Sequence, residues 1–251
     1  MSVENYKKFS NLSFDDFRSL ADDDSLSCYE KIGFPNSYRE NKESLIFDDI
    51  DSKVKLSDIV SQNVLDIGPG CSELPHMLID ICRKNDNQLI LVDSGEMLKH
   101  LPDESYITKF DAYYPQCPSL FSAYAGKIDV ILCYSVFHYI FVESNMWNFL
   151  DKSLELLAEG GRLLIGDIPN ISMRRRFFSS ESGKKFHREF TGKSSDPEVT
   201  FNVVDANTID DSVIFSILMR ARNAGFDAYV LPQSRSLPMS NRREDILITR
   251  P

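Results

Sequence analysis

Apolar and polar positions follow two different rhythms along the chain. From residue 63 onward, short apolar runs alternate with stretches in which apolar residues recur every three or four positions. Residues 64–67, 88–93, 106–111, 128–133 and 162–166 read as strands. The stretch that follows the Gly68-Pro69-Gly70 turn and runs through Leu78 to Cys82, with residues 95–100 and 145–158, reads as the helices between them, the last ending on Gly160-Gly161 as a C-cap. A helical pattern over 209–224 then leads to two closing strands, 227–231 and 245–249, expected to pair as an antiparallel hairpin at the sheet edge. Short apolar strands separated by helices imply a parallel sheet covered on both faces.

The remaining segments lack this rhythm. Phe14, Phe17 and Leu20 stand at helical spacing behind Ser13, a favourable N-cap, and predict a short amphipathic helix. Gly33-Phe34-Pro35-Asn36-Ser37 signals a turn, and 38–50 predicts a second helix. Residues 169–202 are polar, basic and rich in Ser, Gly and Phe, which marks an insertion or lid. The expected architecture is an α/β three-layer sandwich with a mostly parallel seven-stranded sheet. It divides into an N-terminal helical cap (1–60), a ligand-binding core (61–168), a basic lid insertion (169–202) and the C-terminal part of the core (203–251).

Composition narrows the partners. The 251 residues carry 28 Lys and Arg against 38 Asp and Glu, a formal charge of −10, which opposes attachment to nucleic acid or to an anionic membrane. No apolar run approaches the roughly 20 residues that span a bilayer. The first residues, Met1-Ser2-Val3-Glu4-Asn5-Tyr6-Lys7-Lys8, lack the apolar stretch of a secretory leader. Five scattered cysteines without a Cys-x-x-Cys pair suggest reduced thiols and neither a zinc site nor a disulfide framework. A cytoplasmic protein without a metal is expected.

In an open parallel sheet, ligands bind at the carboxyl ends of the strands. Three polar signals fall there: Asp66-Ile67-Gly68-Pro69-Gly70 after the first strand, Asp93 after the second and Asp111 after the third. Glycines let the backbone approach a ligand, and an acidic residue a little over 20 positions later suits ribose hydroxyls. The Gly68, Gly70, Glu73 spacing does not fit the Gly-x-Gly-x-x-Gly turn of a dinucleotide enzyme.

This ordered set resembles the class I methyltransferases that use S-adenosyl-L-methionine (SAM), whose fold is Rossmann-like. Asp66-Ile67-Gly68-Pro69-Gly70-Cys71-Ser72 matches their first motif, Leu91-Val92-Asp93-Ser94 the acidic strand end, Asp111 the polar residue beside adenine, and Glu159-Gly160-Gly161-Arg162-Leu163-Leu164-Ile165 the later glycine pair and strand. Ala224-Gly225-Phe226 also matches, and Ser72 stands where a third glycine is common. The resemblance covers about residues 60–250. It implies that Gly68, Pro69 and Gly70 lie against the methionine moiety and ribose. Asp66 orients that loop or meets the ammonium through water, and Asp93 with Ser94 holds the ribose. Met97 covers adenine, Asp111 accepts from its amino group, Ala112 donates its N–H to the ring, and Tyr134 and Ser135 flank the transferred methyl.

The acceptor is read from other residues. His138 and Asp167 are the candidate bases, each equally compatible with a purely structural role. Arg174, Arg175 and Arg176, followed by Lys184, Lys185, His187 and Arg188, stand out in an acidic chain and suit a phosphate or carboxylate, or else form a solvated basic loop. Phe14, Phe17, Tyr29, Phe34 and Tyr38 are expected to wall the acceptor site, with Tyr29 and Tyr38 offering hydroxyls. Residues 26–39 also resemble methyltransferases of bacterial capsule and surface-polysaccharide clusters, including those associated with O-methyl phosphoramidate decoration. That resemblance implies O-methyl transfer to a small anionic, phosphorylated or sugar-derived metabolite. Two alternatives stay open: a methyltransferase-fold binding module or inactive partner subunit, and an RNA methyltransferase. Methylation of a base amino group would call for Asn-Pro-Pro-Tyr where the chain has Cys133-Tyr134-Ser135-Val136.

Overall fold

The computed structural model describes Phe9 and residues 12–251; residues 1–8, 10 and 11 of the N-terminal segment lie outside the described residues. The strands β1 (Asn63–Ile67), β2 (Gln88–Asp93), β3 (Ile107–Asp111), β4 (Ile128–Tyr134), β5 (Leu157–Pro169), β6 (Asp227–Pro232) and β7 (Arg243–Thr249) form one sheet in the order β3-β2-β1-β4-β5-β7-β6. β1 to β5 run parallel, and β7 lies antiparallel between β5 and β6. Strand order reverses between β1 and β4, so a crevice opens at the carboxyl ends of these two neighbours.

Among the described residues four α-helices precede the sheet: α1 (Phe14–Asp22), α2 (Cys28–Lys31), α3 (Asn36–Arg39) and α4 (Glu43–Val54). α5 (Glu73–Lys84) follows β1, α6 (Gly95–Leu98) follows β2, α7 (Pro118–Tyr124) follows β3, and α8 (Phe137–Glu143) and α9 (Met146–Leu156) connect β4 to β5. α10 (Ile171–Ser179), α11 (Glu181–Thr191) and α12 (Asp211–Asn223) lie between β5 and β6.

Because successive strand side chains point to opposite faces, each strand feeds two cores. Leu65, Ile67, Ile90, Val92, Ile131, Leu163 and Ile165 pack with Phe137, Phe149 and Ile217 from α8, α9 and α12. Val64, Leu89, Leu91, Val130, Leu132 and Leu164 pack instead with Ile46, Ile50 and Val54 of α4 and Leu78, Ile79 and Cys82 of α5. The result is the three-layer sandwich expected from the strand pattern.

Several local expectations change. The helix expected over 38–50 is two pieces, broken where Asn41 takes a left-handed φ of 61°. Gly160-Gly161 is not a helix C-cap: α9 gives way at Leu157 directly to β5, and the glycine pair lies within that strand. A Cβ on Gly161 would stand 2.8 Å from the Ala158 carbonyl oxygen and 2.9 Å from that of Ile128, so backbone packing at an irregular register demands glycine there. Within 169–202, α10 and α11 form a helical hairpin on Ser180, whose Oγ accepts from the Gly183 N–H (3.2 Å). Phe177, Phe178 and Phe186 pack together between the two helices.

A polar clamp ties the N-terminal helices to the sheet. Lys53 on α4 donates to Asp49 (2.5 Å) and to Asp245 on β7 (2.6 Å), all three side chains being buried. Removing one partner of a buried ion pair strands the other charge, at a cost of about 3–5 kcal/mol. Lys53→Met is therefore expected to lower unfolding stability by about that amount, read as a reduced urea midpoint with an unchanged slope. A loss below about 1 kcal/mol would show that the clamp does not hold the two parts together.

A cleft at the switch point and a cavity beside it

The loop after β1 is shaped by two glycines in the left-handed region, Gly68 at φ 71° and Gly70 at φ 65°. A Cβ on Gly68 would come within 2.7 Å of Val136, and one on Gly70 within 2.6 Å of Ile32. Both positions need glycine, for conformation and for space. Together with Ile67 and Pro69 they floor a cleft whose other walls are Asp93, Met97, Ala112, Tyr134, Ser135, Val136 and Tyr139. Phe14, Phe17, Ile32, Phe34 and Arg39 close it from the N-terminal helices. The cleft encloses about 930 Å³ of atom-free space, its open mouth included.

Asp93 accepts from the Gly70 N–H (3.1 Å) and from the Ser94 N–H (2.7 Å). Burial nevertheless pushes its pKa up to about 6, against the pull of those two N–H donors. Asp66 is pushed up to about 7 by burial, with the neighbouring Asp93 adding to it. Among the described residues the Asp66 carboxylate makes no hydrogen bond to the glycine loop, so it does not orient that loop directly; it borders a small cavity beneath Gly68 and Pro69. Met97 is buried and reaches the cleft.

Other expected contacts are committed elsewhere. Ser94 caps α6, its Oγ accepting from the Met97 N–H (3.2 Å), and it does not line the cleft. Asp111 accepts from the Gly95 N–H (2.8 Å) and is exposed behind that turn. The Ala112 N–H donates to the Asp93 carbonyl (3.1 Å), so it belongs to the sheet rather than being offered to a ring. Tyr29 is buried outside the cleft, and burial raises its pKa to about 12. Tyr38 stacks on Phe34 at 6.1 Å and borders a small neighbouring cavity with Arg39 and Asp167.

At the ends of β4 and β5, Ser135 (φ 62°) and Asp167 (φ 58°) both take left-handed backbone. Such strain persists only where the surroundings enforce it. The Ser135 hydroxyl accepts from Arg39 Nη2 (2.7 Å) and donates to Asp167 Oδ2 (2.5 Å). Arg243 on β7 also donates to Asp167, and Gln233 reaches both Asp167 Oδ1 (3.2 Å) and Asp245 Oδ1 (3.1 Å). The Asp167 N–H donates to Asp245 Oδ1 (2.8 Å), which joins this network to the Lys53 clamp. Burial would raise the Asp167 pKa, but Arg243, Arg39 and the Ser135 and Gln233 hydrogen bonds outweigh it and hold the carboxyl below the usual range. Arg39, Arg243 and Gln233 carry no sequence motif; their roles arise only from the topology.

Beside the cleft lies a second, wider cavity, which shares Phe34, Tyr139 and Glu143 with it as a common wall. His138, Arg174, Arg242 and Arg243 line it. Burial and the nearby Arg243 push the His138 pKa down to about 3, against Asp167, so its ring is neutral at physiological pH and a poor base. The expected arginine triplet separates: Arg175 pairs with Asp205 and Arg176 with Asp211, while Arg174 lies over the Phe178 ring at the cavity.

No protein-family model matches the chain, and no curated protein matches it in sequence. Solved structures do. It is similar to the N-methyltransferase NodS of Bradyrhizobium japonicum WM9 in complex with S-adenosyl-L-homocysteine (SAH), with TM-score 0.57 and 13% identity over 95% of this chain and 98% of that one. It is similar to the plantazolicin methyltransferase BpumL in complex with SAH and a monoazolic desmethylPZN analog, with TM-score 0.55 and 14% identity over 99% and 100%. A SAM-dependent methyltransferase from Aquifex aeolicus superposes with TM-score 0.52 and 12% identity over 95% and 99%. The chain therefore has the Rossmann-like fold of the SAM-dependent methyltransferases.

Proposed function

We propose that the protein transfers a methyl group from SAM to a small acceptor. The observation that carries this is the convergence of the glycine loop and the Asp93 carboxylate on one cleft that ends at Tyr134 and Ser135. In this assignment Asp93 accepts from the ribose hydroxyls, Met97 covers the adenine, and Asp66 faces the ammonium end. Support for the last role is electrostatic: Asp66 is a buried carboxylate with a raised pKa, and a cation beside it would restore its charge. Residues 1–60 serve as the cap and 169–202 as the lid, as Phe14, Phe17 and Arg39 in the cleft and Arg174 at the second cavity suggest.

When bound, SAM supplies an electrophilic methyl on a good leaving group, so the protein's task is to align the acceptor and exclude water. A neutral hydroxyl would also need a base. His138 is a weak one, and Asp167 is an ionised carboxylate held by two arginines. The pairing favours an acceptor that brings its own charge or lone pair. We therefore favour a small anionic metabolite, methylated on oxygen, and the resemblance of residues 26–39 suggests capsule polysaccharide modification as its setting. The fold itself does not select oxygen, since NodS is an N-methyltransferase.

Calorimetric titration with SAM and SAH tests the proposal; absence of binding by a folded protein would overturn it. Asp93→Ala is expected to weaken SAM by about 1.5–3 kcal/mol, roughly 10- to 160-fold, through loss of a charged acceptor.

A pH dependence follows as well. Ribose hydroxyls and an ammonium both prefer ionised carboxylates, so bound SAM lowers the pKa values of Asp66 and Asp93 from about 7 and about 6. Affinity is then full above about pH 7 and falls as the pH drops through 7 and 6. In Asp93→Asn the part of the slope near pH 6 should vanish. A flat profile from pH 8 to pH 5 in the parent protein would rule out both carboxylate roles.

A further inference from the structure

We infer that the second cavity is an oxyanion site, in which Arg174 and Arg242 hold a phosphate ester or equivalent dianion of the acceptor. The inference rests on the methyl-transfer assignment only for the word acceptor; the anion site stands on its own geometry.

Arg242, in the turn before β7, lies 5.6 Å from the ring centres of both Phe178 and Phe186, and Arg174 of α10 lies 5.1 Å from Phe178. Rings fix a guanidinium by its face and leave its N–H edge for a planar or tetrahedral oxyanion. Arg242 also donates to the Asn241 side chain (3.2 Å). Among the described residues neither arginine forms an ion pair, whereas Arg175, Arg176 and Arg243 pair with Asp205, Asp211 and Asp167. Burial, with Arg243 and Arg174 nearby, holds the Arg242 pKa below its usual range against the hydrogen-bonded Tyr38, a like-charge crowding that an anion would relieve.

The facing residues agree. His138 lines the cavity with its Nδ1 buried and, among the described residues, without a hydrogen-bond partner. A buried polar atom left unmet is costly, and a ligand oxygen or hydroxyl would meet it. Among the described residues the only carboxylate lining this cavity is Glu143, on the wall shared with the first cleft, where it also accepts from the Phe14 N–H (3.3 Å). Phe34 and Tyr139, which line both cavities, would separate an anion at Arg174 and Arg242 from the cleft that holds Ser135.

Inorganic phosphate is the probe, titrated by calorimetry at low ionic strength and at a pH where it is the dianion, with SAH affinity and the thermal midpoint measured on the same samples. The parent is expected to bind phosphate at one site. Arg174→Gln and Arg242→Gln should each weaken it about tenfold or more while leaving SAH affinity unchanged, and Arg176→Gln should change phosphate affinity less than about twofold. If Arg242→Gln fails to fold, Arg174→Gln and Arg242→Lys carry the test, since Arg174 is exposed and lysine keeps the charge. No saturable phosphate binding by the parent, or an equal loss in Arg176→Gln, would overturn the inference. Phosphate binding without SAH binding would support the anion site and sink the methyl-transfer assignment; SAH binding without phosphate binding would do the reverse.

Discussion

The carboxylate of Asp167 is held between cations from opposite ends of the chain, Arg39 before the sheet and Arg243 in its last strand, with Ser135 and Gln233 completing its shell. The arrangement fixes the ends of β4 and β5, where Ser135 and Asp167 both sit in left-handed backbone. Neither conformation is favourable alone, and their joint hydrogen bond makes each depend on the other. Through Asp245 the same network reaches Lys53, so the helices that roof the cleft and the strand ends that floor its far side are positioned together. The apolar cores supply the driving force for folding, while this buried polar set decides how the cap meets the sheet. A buried ion network is weak evidence for stability but good evidence for a required geometry.

Charge is segregated across the site. On the side of the glycine loop, the buried Asp66 and the half-buried Asp93 are carboxylates with raised pKa values. Such groups favour a cationic or hydroxyl-rich ligand. Across Phe34 and Tyr139, the second cavity presents Arg174, Arg242 and Arg243 within a chain of net charge −10. A sulfonium donor on the first side and an anion on the second would attract each other along the line of transfer, which lowers the cost of bringing them together.

What the sequence reveals of this design is what depends on neighbours in the chain. β2 is read at its full extent because a run such as Leu89-Ile90-Leu91-Val92 is buried on both faces. Gly68, Gly70 and Asp93 are visible because a tight turn and a strand end are local events. α10 and α11 are missed: polar sequence and Gly183 in the first turn of α11 hide their phenylalanines, yet a Cβ on Gly183 would collide with the Phe177 carbonyl in this hairpin. Arg174, Arg175 and Arg176 look equivalent in sequence, and only the distant Asp205 and Asp211 distinguish them. Arg39, Gln233 and Arg243 are invisible for the same reason: Ser135 lies 96 positions from Arg39, and Asp167 lies 66 from Gln233 and 76 from Arg243.

The state of the two candidate bases bears on the chemistry more than their position does. His138 lines the second cavity and not the first cleft, and burial and Arg243 leave it neutral and weakly basic. Asp167 reaches the end of β5 beside Ser135, but its charge is already spent on two arginines, and taking up a proton would break pairs that shape the backbone around it. Proton removal by either group would therefore work against the fold. Alignment is what the site does supply: a rigid glycine floor, an aromatic wall at Phe34 and Tyr139, and a hydroxyl at Ser135 fixed from both sides. Reaction with a sulfonium methyl needs little more when the nucleophile arrives already charged, and the proposed anion site at Arg174 and Arg242 would receive one that does.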